Sequence, residues 1–144
     1  MIFEGFSSNH KLLHSHHDTV LKTFFPNLLS KIKSKNADSR FNGLKLITDI
    51  MIQYLNEPEI YDPSGSTPSS KIINDIIIKE LLPNIGFILE DQEPMPLYGL
   101  KLFSIVFGKN INFIRTLKQK KMLGLFLQYF TCKIKDFSSY YYRP

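Results

Sequence analysis

One cysteine, three arginines and no long apolar run set the first limits on this 144-residue sequence. The single Cys132 excludes an intramolecular disulfide framework and any multi-cysteine zinc site, which favours a reducing compartment and a cytoplasmic reading. No stretch approaches the ~20 apolar residues that cross a bilayer, and Met1 to Ser7 lacks a basic segment followed by an apolar one. Neither secretion nor membrane insertion is supported. Arginine, the better reader of phosphates and bases, stands only at positions 40, 115 and 143. The formal charge of +5 therefore rests on lysine, in a chain also rich in isoleucine and asparagine, a bias that an AT-rich genome produces without selection for binding. It is read chiefly as solvated surface; a basic nucleic-acid-binding helical repeat is the alternative and is disfavoured. No nucleophile, base and orienting group can be assembled, and no cofactor motif is present, so the chain reads as non-catalytic.

What the sequence does contain is a repeat. Phe24-Phe25-Pro26-Asn27-Leu28-Leu29 is answered by Leu81-Leu82-Pro83-Asn84-Ile85-Gly86, and Gly43-Leu44-Lys45-Leu46 recurs as Gly99-Leu100-Lys101-Leu102. The two prolines are offset by 57 positions and the two tetrapeptides by 56, so the internal spacing is kept to within one residue. Repetition at this period indicates an α-solenoid.

Periodicity places the elements. Residues 1–17 form a lead of little pattern. A first repeat, about 18–55, opens with a helix through Val20, Leu21, Phe24 and Phe25 that Pro26 must kink or restart. Asp38 is the expected N-cap of the next helix. There Phe41, Leu44, Thr48, Met51 and Leu55 make one stripe, and Ile47, Ile50 and Tyr54 a second, so the helix should be sandwiched between neighbours. Residues 56–70, with Pro58, Pro63, Gly65, Pro68 and several serines, read as a flexible connection without packing pattern. The second repeat, about 71–130, starts from Ser69 or Ser70 as cap, runs through Ile72 to Leu82, meets Pro83, and resumes after Glu93-Pro94-Met95-Pro96. Leu97, Leu100, Ser104 and Phe107 then stand 56 positions after Phe41, Leu44, Thr48 and Met51. A short helix capped by Asn110 or Asn112 carries Phe113, Ile114 and Leu117, and another places Leu123, Phe126, Leu127 and Phe130 inward. Three helices per unit point to armadillo over HEAT geometry. Residues 131–144 form an aromatic tail. The expectation is an all-α, armadillo/HEAT-like helical repeat of about two units, fewer than the three or so that usually make a stable array. Caps formed by the aromatic tail and the N-terminal segment, self-association through an open end, or, as the preferred reading, a place as a fragment within a longer array would make up the difference.

Pro83-Asn84-Ile85, then Pro96-Leu97-Tyr98-Gly99-Leu100-Lys101-Leu102-Phe103 and Asn112-Phe113-Ile114, resemble the C-terminal armadillo-type repeats of Fused-type (unc-51-like) serine/threonine kinases and pseudokinases. Ser39-Arg40-Phe41-Asn42-Gly43-Leu44-Lys45-Leu46 is similar to the same region, and the resemblance covers about residues 18–130. It implies a scaffold segment of a larger kinase-like protein, in a family linked to microtubules, cilia and cell division. The family's ATP-site signatures are missing: there is no glycine-rich loop, His-Arg-Asp loop or Asp-Phe-Gly, and no kinase residue carries over.

Arg115, Lys118, Lys120 and Lys121 form the densest basic group. Of these, Arg115, Lys118 and Lys121 are the candidate contacts to a protein partner, possessing the charge to hold an acidic segment such as a tubulin tail; cations near a helix C-terminus also serve the helix dipole. His10, His14 and His17 fall at i, i+4 and i+7, a spacing that puts imidazoles on one helix face, but without a secure fourth ligand they read as ordinary histidines. Cys132 reads as packing, with Lys133 and Lys135 nearby. Glu90, Asp91 and Glu93 are assigned to the next helix's dipole. Gly43 and Gly99, inside helices, are assigned to close helix approach.

Overall fold

Residues 16–124, 126–128, 130 and 131 are described by the computed structural model, and no β-strand occurs among them. The chain enters with α1 (His17–Thr19), widens into a π turn (Val20–Phe24) and continues as α2 (Phe25–Lys31). A proline donates no N–H, and its ring clashes with the carbonyl four residues back. Ahead of Pro26 the helix accordingly opens by one residue, and the Phe25 N–H reaches Val20 O. Long helix α3 (Ala37–Leu55) then returns against α2.

The second unit repeats this plan. Helix α4 (Pro68–Ile76) passes into a π turn (Ile77–Leu81), a 3-10 turn (Leu82–Asn84) and α5 (Ile85–Glu90), and α6 (Met95–Lys109) returns against α5. The two π turns occupy the same register relative to their prolines, Val20 and Ile77 being separated by the same 57 residues as Pro26 and Pro83. A local constraint in the sequence has become the same local distortion twice. Helix α7 (Asn112–Gln119) follows, packed on α6, and helical backbone resumes at Leu123.

Helices α3 and α6 lie side by side at the centre of the array. Leu44, Ile47, Ile50, Met51, Tyr54 and Leu55 of α3, and Leu100, Leu102, Phe103 and Val106 of α6, are all buried, so both stripes of α3 are covered as the sandwiching expectation requires. The buried Thr48 hydroxyl donates to Leu44 O at 2.8 Å, which removes the cost of burying it. Its counterpart Ser104 is exposed, and Leu97 is 50% exposed where Phe41 is half-buried, so the two repeats match closely only along their inward seam. Past α7, Phe126 packs edge-on against Phe103 and Phe107, with ring centroids 6.3 and 5.1 Å apart. Leu123 and Phe130 pack with it, whereas Leu127, expected inward, is 50% exposed.

Three expected caps move. Asn36, not Asp38, caps α3 by accepting from Ser39 N at 3.0 Å; Asp38 lies in the first turn, where its charge suits the dipole. Thr67 caps α4, accepting from Ser70 N at 3.1 Å. Before α7, Asn110 Oδ1 accepts from Asn112 N at 3.0 Å while Ile111 holds the N-cap position without a side-chain bond.

The connection at 56–70 is not the unpacked loop its composition suggests. Ile60 and Tyr61 are buried in the core, and Ile60 O accepts from Thr67 Oγ1 at 3.2 Å and Ser69 Oγ at 2.6 Å. Tyr61 OH donates to Asn74 Oδ1 at 2.8 Å and accepts from Asn110 Nδ2 at 3.0 Å, which ties the loop to both helices of the second hairpin. Burial pushes the Tyr61 phenol above its ordinary range. Asp62 accepts hydrogen bonds from the Ser64 and Ser66 hydroxyls, which hold its carboxyl below the usual range. The serines that signal flexibility by composition are here spent on satisfying the loop's own backbone and on Asp62.

Candidate partner-binding surface

Helix α7 is amphipathic by construction. Phe113 and Leu117, four residues apart, are buried against the core. At about 100° per residue, Ile111, Arg115 and Lys118 fall together on the opposite face. All three are exposed, Ile111 to 66%. The structure thus aligns Arg115 with Lys118, and it adds Ile111, which sequence reasoning missed although its i, i+4, i+7 spacing was legible.

Lys121 is placed differently. Lys121 N donates to Lys118 O and Met122 N to Leu117 O, both at 3.0 Å, closing α7 with a Schellman-type turn. The turn puts Lys121 at φ 59°, the left-handed region where glycine is usual. Its exposed side chain leaves from the end of the helix and not from the Arg115–Lys118 face.

The charge in this part of the sequence is of one sign. Lys101, Lys109, Arg115, Lys118, Lys120 and Lys121 all fall between Pro94 and Thr131, and no aspartate or glutamate occurs in that stretch. With +5 for the whole chain, the positive charge is concentrated in the second half of the second repeat and beyond it. A concentration of this kind raises the local density of anionic partners and their rate of encounter.

On another side of the molecule the two repeats are joined by an ion pair. Arg40 Nε and Nη2 contact the two Asp91 carboxylate oxygens at 2.7 and 3.0 Å, and Arg40 Nη1 donates to Ser34 O at 2.9 Å and Lys35 O at 3.1 Å. The guanidinium holds the Asp91 carboxyl below the usual carboxylate range. Asp91, expected to serve the next helix's dipole, instead links the α5–α6 turn to the start of α3. The pair borders a cleft of about 580 Å³ whose lining includes Ile32, Lys33, Ile88 and Met95, with Phe87, 77% exposed, at its edge.

The glycine assignments hold. A Cβ on Gly43 would stand 2.7 Å from Lys31 Cβ, and one on Gly99 would stand 2.5 Å from Ile88 Cγ2, so each glycine lets the two helices of its hairpin touch. His10, His14 and Cys132 lie outside the described residues. His17 is half-buried with its ring edge-on to Tyr54, centroids 6.4 Å apart. Among the described residues no group of three or more histidines, cysteines or carboxylates could hold a metal ion, and no helix is long and apolar enough to cross a membrane.

Two proline-broken hairpins stacked through their second helices are the geometry of a HEAT array, and comparison with known proteins agrees. The model for the HEAT repeats of ULK4-like serine/threonine-protein kinases matches residues 1–115. The chain belongs to the ULK4-like HEAT-repeat family. It is 30% identical over 127 residues to mouse serine/threonine-protein kinase ULK4, covering 88% of this chain and 10% of that protein. It therefore spans about a tenth of that relative's length, and the matched family is the HEAT-repeat region, not the kinase domain. The resemblance to unc-51-like kinases and the all-α helical-repeat fold are both borne out. Between the two repeat types, the three-helix armadillo unit gives way to the two-helix HEAT hairpin. No solved structure matches the chain.

Proposed function

We propose that this HEAT-repeat segment is a non-catalytic protein-interaction scaffold within a larger kinase-like protein, in the cytoplasm and in association with microtubules, cilia or the division machinery. Arg115, Lys118 and Lys121 are its contacts to an acidic segment of the partner. The observation that carries this reading is the acid-free stretch from Pro94 to Thr131, with two of the three cations on the outward face of α7. HEAT arrays generally act through extended surfaces presented by rigidly stacked helices, and the bonded loop at 60–70 and the Arg40–Asp91 pair supply that rigidity here.

The test is a pull-down with the intact chain and with an Arg115→Glu/Lys118→Glu/Lys121→Glu version of matched helicity. A protein retained by the first and lost by the second supports the patch. Retention by both removes the patch and keeps the scaffold role. Nucleic acid as the retained species, released in proportion to log salt, favours the alternative reading.

A further inference from the structure

Ile111 is a large apolar side chain left in water at the head of a cationic row, and α7 fixes its distance from each cation. At 1.5 Å rise per residue, Arg115 lies roughly 6 Å and Lys118 roughly 10.5 Å along the axis from Ile111. Phe113 and Leu117, buried on the far side, prevent the helix from turning this face inward. No aspartate or glutamate lies between Ile111 and Gln119, so carboxylates that meet the row come from outside the helix.

We infer that the Ile111–Arg115–Lys118 row takes an acidic helical segment that carries one large apolar residue, with carboxylates four and seven positions from it. The inference rests on the partner-binding reading of Arg115 and Lys118 and adds the apolar anchor and the spacing. A helix laid along α7 has the same period, so its apolar residue covers Ile111 while its two carboxylates meet the guanidinium and the ammonium. The two components have different signatures. Ion pairing sets encounter and weakens with salt, whereas burial of Ile111 slows departure and responds little to salt.

The experiment is fluorescence anisotropy of the full chain with a labelled helical peptide of about 15 residues, one leucine, and glutamates four and seven positions from it. A second peptide carries the same composition with the glutamates moved by two positions. Expected results are tighter binding of the first peptide, a roughly tenfold loss with Ile111→Ser at unchanged salt slope, and a loss together with a flattened salt slope for Arg115→Glu/Lys118→Glu. Serine is a good N-cap, and Ile111 is exposed, so Ile111→Ser should keep the fold, with circular dichroism as the check. Equal binding of both peptides, or unchanged affinity with Ile111→Ser, overturns the anchor and spacing while the acidic-partner reading stands. Unchanged affinity with the charge-reversed chain overturns both.

Discussion

Arg40 and Asp91 stand 51 residues apart in the chain and meet in a two-pronged ion pair, with contacts at 2.7 and 3.0 Å and both side chains largely covered. One residue begins the central helix of the first repeat and the other closes the first column of the second, so the pair measures whether the repeats are docked.

Asp91 gives stacking an acid dependence. Its carboxyl is held below the ordinary range by Arg40, so the pair contributes stability fully above the unfolded pKa of about 3.9 and loses it as pH falls through the lower folded value. Asp91→Asn is expected to melt at lower temperature than the parent at pH 7, and the difference should shrink as pH falls below about 4. Thermal melts from pH 7 to pH 3 check this; a difference that stays constant with pH would show that Asp91 acts through something other than its charge.

Gly99→Ala and Gly108→Ala should move stability in opposite directions although both lie in α6. Alanine is favoured in a helix by about 1 kcal/mol, and at Gly108 no atom of the described residues beyond its chain neighbours and the helix's own backbone lies within 4 Å of the added carbon to oppose it. At Gly99 the new carbon meets buried Ile88 at 2.5 Å, and overpacking of this kind costs about 1–3 kcal/mol. Urea titration should show a gain for Gly108→Ala and a net loss for Gly99→Ala and, by the same contact with Lys31 Cβ, for Gly43→Ala.

Tyr61→Phe removes one hydroxyl that serves two partners. Asn110 Nδ2 keeps only Pro63 O at 3.4 Å, and Asn74 Oδ1 loses its donor. A cost of about 1–2 kcal/mol is expected from a half-satisfied buried amide. Hydrogen exchange should show faster opening of the 56–67 connection and of the α6–α7 junction together, and a loss confined to one of them would break the proposed link.

Lys121→Gly should stabilise the chain by up to about 1 kcal/mol, because a left-handed residue with a Cβ carries a steric cost that glycine lacks. Denaturant midpoints check this. A decrease would mean that the Lys121 side chain contributes more to packing than its exposure suggests.

Local chemistry made much of the fold legible. Proline at 26 and 83 dictates a break four residues downstream of the affected carbonyl, and the same π turn appears before both. The two stripes of α3 specify burial on both sides, and two glycines without a turn around them specify close helix contact. These follow from properties of a residue and its immediate helix, which the sequence carries in full. The rest depended on what distant segments bring to one another. Composition assigns serines and prolines at 56–70 to a loose connection, because nothing local shows that Tyr61 will find Asn74 and Asn110. Asp91 looks like a helix-dipole residue until Arg40 arrives beside it. Ile111 has no assigned place in the sequence pattern, and only the tertiary packing, with Phe113 and Leu117 inside, leaves it exposed on the face that carries two cations. Periodicity determines that a helix has two faces, and only the position of the neighbouring helix decides which one meets water.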